Sequence, residues 1–170
     1  MSEALISLGI GLRRDACVEA LDELVAQALA DAGVTADRVA LVATLDSRCR
    51  APALLALAAR YRWPVRAFAA ATLVPFEHRL THRSPRVRAL YGVSGIAEAA
   101  ALAALETRAL DTMTPEAVTA TGARAVQLLL ARRHNARATC ALAIQRSPAA
   151  ADSIWSARVP ARVLPNPQGA

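Results

Sequence analysis

The sequence predicts an α/β fold: a single three-layer domain with a mixed sheet, in which parallel strands are followed by a C-terminal antiparallel hairpin and helices cover both faces. Three observations lead there. Apolar runs at residues 4–8, 39–45 and 65–69 alternate with longer amphipathic stretches, the rhythm of strand, helix, strand. The run 39–45 is continuously apolar, as a parallel strand buried on both faces must be. Near the end, residues 125–131 and 138–145 read as two strands on either side of the polar turn 132–137.

Taken in order, the first strand runs into Leu8-Gly9-Ile10-Gly11-Leu12-Arg13-Arg14-Asp15. A strand, a glycine-bearing turn and a helix N-terminus together present backbone N–H groups to an anion. Arg13 and Arg14 add forked donors suited to carboxylate or phosphate. The stretch is no dinucleotide fingerprint, because Arg14 stands where G-x-G-x-x-G needs its third glycine. It is no Walker loop either, since the chain contains no lysine.

Asp15 is the expected cap of the first helix, in which Leu21, Leu24, Val25, Ala28 and Leu29 repeat at helical spacing and Gly33 provides the stop. Pro52 is tolerated in the first turn of a helix over 51–61, which Trp63-Pro64 ends. Residues 72–91 read as a loop with short helical turns, broken by Pro75 and Pro85. Ser94 is then the expected cap of a helix over 96–105, apolar nearly all round except at Glu98 and therefore buried. Residues 107–122 read as a loop with one helical turn. The domain ends at 146, and prolines 148, 160, 165 and 167 make 147–170 a loosely ordered tail.

With 55% apolar residues but only 4% aromatics, the core must be built of Ala, Leu and Val. No run approaches a membrane span, and no basic segment leads into an apolar one as in a signal peptide. Three widely spaced cysteines, Cys17, Cys49 and Cys140, suit free thiols in a reducing cytoplasm. The net charge of +6 rests on arginine alone. Nucleic-acid binding is not expected, because stacking aromatics and DNA-binding motifs are missing. A polyanionic small molecule fits better.

In an open α/β sheet ligands bind beyond the carboxyl ends of the strands. The turns after the first two strands share that edge, so Arg13, Arg14, Arg48 and Arg50 should converge on one crevice. Asp46, at the end of a buried strand, is the candidate catalytic carboxylate. Gly95 lets the next helix approach the same crevice. Glu98, an acid on a buried helix, needs a partner, expected to be an arginine from a neighbouring turn. His78 and His82 stand four apart but between prolines and without a third ligand, so no metal site is expected.

Several stretches together resemble one family. They are Gly9-Ile10-Gly11-Leu12-Arg13-Arg14, then Thr44-Leu45-Asp46-Ser47-Arg48 with Pro52-Ala53-Leu54-Leu55. Further on come Gly92-Val93-Ser94-Gly95-Ile96-Ala97-Glu98-Ala99-Ala100-Ala101-Leu102 and Ala138-Thr139-Cys140-Ala141-Leu142-Ala143. This order resembles the CobE family of cobalamin biosynthesis and the C-terminal domain of CbiG, the cobalt-precorrin-5A hydrolase, over residues 4–145. The resemblance implies an α/β domain, without a cofactor, acting in corrin ring synthesis in the cytoplasm. It implies binding of a precorrin or corrin intermediate by Gly9, Gly11, Arg13, Arg14, Arg48, Ser94, Gly95, Glu98 and Thr139. A neighbouring cobalamin-pathway enzyme and a second copy of the chain are the further partners considered. The alternatives are a hydrolase of a corrinoid lactone or C–C bond that uses Asp46 as general base, and a phosphate- or nucleotide-binding regulatory module. The family's lysine after the second strand is Arg48 here, its usual acid before proline is Ala51, and its Lys-rich hairpin entry is Arg132-Arg133. These exchanges keep the positive charge and remove a carboxylate.

Overall fold

Continuous apolar strands with helix-spaced segments between them produce a five-stranded sheet in the order β3-β2-β1-β5-β4. The computed structural model describes residues 4–112 and 126–146, with the backbone alone at 109–112. Strand β1 (Leu5–Leu12) lies at the centre. It pairs in parallel with β2 (Val39–Leu45), which pairs in parallel with β3 (Val65–Phe68). On its other side β1 pairs antiparallel with β5 (Ala138–Gln145), the inner strand of the hairpin with β4 (Val126–His134). The expected mixed sheet is therefore present.

Alternation along β1 sends Ile6, Leu8, Ile10 and Leu12 to one face, where they pack with helices α1 (Val18–Ala32) and α2 (Pro52–Tyr61). The opposite face is covered by short α3 (Ala70–Leu73) and by α5 (Ile96–Thr112). Helix α5 is buried over almost its whole described surface, from Ala97 to Leu105. Its alanines are small enough for the helix to lie close against the sheet, and Ser7 in β1 donates its hydroxyl to the Ala101 carbonyl at 2.6 Å. Among the described residues no single helix is long and apolar enough to cross a membrane.

At four positions, Gly9, Gly11, Asp15 and Ser94, the local expectation needs correction. Gly9 and Gly11 lie inside β1 and not in a turn. The requirement they meet is closeness of packing. A Cβ on Gly9 would fall 2.8 Å from the Ala101 nitrogen and closer still to the Ala97 carbonyl oxygen of α5. One on Gly11 would meet the Thr139 hydroxyl at 2.5 Å. Asp15 does not cap α1, which opens at Val18 after Cys17, and its carboxylate pairs with Arg137 of the hairpin turn. Ser94 does not cap α5. Its N–H and hydroxyl both donate to Glu77.

Pro85 opens a helix where a break was expected. Helix α4 (Pro85–Tyr91) carries it in the first turn, where no N–H is needed, and the Ser84 hydroxyl accepts from Val87 at 3.4 Å. Gly92, at φ +77°, ends α4 in the left-handed conformation that glycine adopts without strain. Helix α5 also runs past residue 105 to Thr112. No proline or glycine interrupts it before Pro115, and Thr107 returns its hydroxyl to the Ala103 carbonyl at 2.8 Å. The rest of the loop expected over 107–122, and the tail 147–170, lie outside the described residues.

Candidate functional site

The carboxyl ends of parallel β1 and β2 and the amino end of antiparallel β5 meet at one edge of the sheet. The β1–α1 turn, the turn after β2 and the β4–β5 hairpin turn therefore come together there. The α4–α5 connection closes the fourth side. Between them is a crevice of about 450 Å³. Gly11, Arg13 and Arg14 line it from the first turn, Arg48 from the second, Ser94, Gly95 and Ile96 from the start of α5, and Thr139 from β5. These include seven of the nine expected ligand-binding residues. The other two are structural neighbours of the crevice: Gly9 is under α5, and Glu98 is buried one turn inside it.

Sequence reasoning missed one wall. Arg86, Val87, Leu90 and Tyr91 of α4 line the crevice, from the region read as a loose loop. Arg132, His134 and Arg137 line it from the hairpin. The hairpin was legible as a polar turn. Its place followed only from knowing that β5 runs antiparallel beside β1, which brings that turn to the same edge. Arg50 and the candidate base Asp46 are exposed and do not line the crevice.

Among the described residues the lining contains six arginines, Arg13, Arg14, Arg48, Arg86, Arg132 and Arg137, and no carboxylate. Leu12, Val87, Leu90 and Ile96 give it an apolar component. The N-terminal end of α5, carrying partial positive charge, opens onto it. Near the rim Arg137 is engaged by Asp15, an exposed pair that competes with any anion for that guanidinium. Asp15→Asn is therefore expected to tighten binding of a polycarboxylate by roughly two- to fivefold at low salt, the scale of one exposed ion pair. Equilibrium titration of both proteins checks this.

Two carboxylates behind the crevice hold its walls. Glu77 accepts from the Ser94 N–H at 2.7 Å and from its hydroxyl, and these bonds hold its carboxyl below the usual glutamate range. Glu98 is 1% exposed. It accepts from the Thr81 N–H at 2.8 Å, the Thr81 hydroxyl, the His82 N–H at 3.4 Å and the Arg132 N–H at 3.0 Å. The expected arginine partner is thus present through its backbone and not through its guanidinium. The His82 ring lies 3.6 Å away. Burial pushes the Glu98 carboxyl up, but the bonds from Thr81, Arg132 and His82 outweigh it and leave the pKa lowered.

A folded-state pKa below the unfolded one contributes stability that is present above the ordinary glutamate value and lost as pH falls through the lowered one. Wild-type protein is expected to lose stability progressively below about pH 4.3, and Glu98→Gln to show a shallower acid limb. Denaturant midpoints measured across acid pH check the slope.

The remaining chemistry-bearing groups stand apart. Cys140 is buried against α1, and burial pushes its thiol up to about 12. Among the described residues no three His, Cys, Asp or Glu side chains gather as a metal centre would require.

The model of the family "Cobalamin synthesis G C-terminus" matches residues 6–143, which include β2, β3 and β4 and most of β1 and β5. The chain belongs to this family. It is 43% identical over 95 residues to Protein CobE of Sinorhizobium sp, an alignment covering 56% of this chain and 62% of that relative. It therefore spans under two thirds of that protein's length. The crystal structure of CobE, a protein from the cobalamin (vitamin B12) biosynthetic pathway, superposes with a TM-score of 0.71 at 33% identity, covering 84% of this chain and 92% of that one. The cobalamin biosynthesis protein chiG of Agrobacterium tumefaciens str. C58 shares the fold, with a TM-score of 0.57 at 23% identity over 84% and 99% of the two chains. On this family fold the four sequence stretches of the resemblance fall at β1 and its turn, at the β2–α2 connection, at the start of α5 and along β5. The first, third and fourth each supply crevice residues, and the second supplies Arg48.

Proposed function

We propose that the chain binds a precorrin or corrin intermediate in this crevice, as a cytoplasmic CobE-type protein of cobalamin biosynthesis. One observation carries the reading: among the described residues six arginines line a cleft that also has an apolar wall. Corrinoid precursors carry several acetate and propionate groups around a large apolar ring. Guanidinium forks and a helix N-terminus suit the carboxylates, and Leu12, Val87, Leu90 and Ile96 suit the ring. Membership of the family supports the same class of ligand.

The test is a titration of purified protein with corrin intermediates, followed by their own absorbance. Saturable 1:1 binding that weakens with salt is the expected result. Failure of every polycarboxylate macrocycle to bind would remove the proposal.

A further inference from the structure

The six arginines are not equivalent. Arg13, Arg14, Arg86 and Arg137 are exposed, whereas Arg48 and Arg132 are half-buried. The Nε N–H groups of Arg48 and Arg132 are also fully buried, and neither has a hydrogen-bond partner among the described residues. A buried guanidinium N–H left unmatched is costly, and a native fold keeps one where something else completes it. These two arginines stand on opposite sides of the crevice. One follows β2 and the other lies on edge strand β4, with β1 and β5 between them.

Arg132 is also specially placed by the backbone. The β4–β5 pairing shifts register between Leu130 and Arg133, and the Arg132 N–H leaves the ladder for the Glu98 carboxylate. An irregularity of this kind re-aims a side chain. Its neighbour Arg133 goes to the other face, to Asp31 of α1 at 3.3 Å. Glu98 thereby acts as a positioning residue for Arg132.

We infer that Arg48 and Arg132 are the anchoring pair of the crevice, each turning its guanidinium on binding so that the orphaned Nε–H edge meets a ligand carboxylate, while the four exposed arginines attract the ligand without fixing it. This rests on the anion-binding reading above and says which residues hold the ligand. A carboxylate meeting the Nε and Nη edge takes two parallel hydrogen bonds away from bulk water. Exposed arginines interact through solvent that salt screens.

Two probes separate this inference from the corrinoid proposal. Citrate, a small tricarboxylate, tests the pair alone through the rise it produces in melting temperature. Wild type and Arg50→Gln, which lies outside the crevice, should be stabilised fully by citrate, Arg14→Gln and Arg86→Gln somewhat less, and Arg48→Gln and Arg132→Gln not at all. Arg132→Lys, which keeps the charge and lacks the fork, should respond as weakly as Arg132→Gln. Melting without citrate shows that each variant is folded. Uroporphyrin, an octacarboxylate macrocycle, tests the pair in the larger ligand. Its affinity should fall by about tenfold or more in Arg48→Gln and Arg132→Gln through a faster off-rate, and the loss should persist at about 1 M NaCl, where screening acts within about 3 Å. Arg14→Gln and Arg86→Gln should slow association at low salt, with a loss that shrinks as salt rises. A citrate response retained in both anchor variants, or absent from wild type, overturns the pair. A citrate response with the expected pattern but no uroporphyrin binding upholds the pair and counts against the macrocycle.

Discussion

Gly9→Ala is expected to destabilise the protein by roughly 3 kcal/mol or more, at the upper end of overpacking costs. The added methyl group would meet no flexible side chain that could swing aside. It would meet the backbone of α5, at the Ala97 carbonyl and the Ala101 nitrogen, with the neighbouring helix turns fully buried. Relief would require α5 to lift off the central strand, separating contacts along the whole of that face. Since domains of this size are stable by only about 5–15 kcal/mol, the variant should melt far below wild type or fail to accumulate folded. Gly11→Ala should be milder, because its nearest obstacle is the Thr139 side chain, which has a rotamer to change. Thermal melts of the two variants beside wild type check both the size and the order of the effects.

Glu98→Ala should be nearly as damaging and should act on the crevice as well. The change removes a buried carboxylate and leaves the N–H groups of Thr81, His82 and Arg132 facing the hole, at about 1–3 kcal/mol for each one that water does not reach. Partial relaxation and water entry reduce the sum, so a loss of about 2–4 kcal/mol is expected. Because one of those donors fixes Arg132, anion binding by the folded fraction should weaken too. Glu98→Gln keeps one acceptor and should lie between wild type and alanine in both stability and binding. Denaturant unfolding together with citrate titration separates the two effects. A Glu98→Ala protein as stable as wild type would show that the buried network carries no weight.

The chain made some features of this arrangement plain and concealed others. Parallel strands announced themselves through unbroken apolar runs, as at Val39–Leu45, and α5 through the run 96–105, whose only charge is Glu98. The glycines of β1 were misread because local sequence reports that a residue lacks a side chain and not why. Gly9 serves a helix some ninety positions away, and nothing near it in sequence says so. Ser94 was misread for the same reason, since its true partner Glu77 belongs to a segment with no clear period. Helix α4 was hidden because Pro85 reads equally as a break or as a first turn. Arg132-Arg133-His134 looked like a turn because three polar residues in a row rarely extend a strand. On this edge strand they alternate between the crevice and α1 instead.

Hydrogen exchange with and without a bound polycarboxylate corrinoid tests the central claim most directly, because it reports position as well as binding. The account predicts slowed exchange at three separate segments that only the fold brings together: Gly11 to Arg14, Ser94 to Ile96, and Arg132 to Thr139. Protection confined to the opposite face of the sheet, along α1 and α2, with these three segments unchanged, would contradict it.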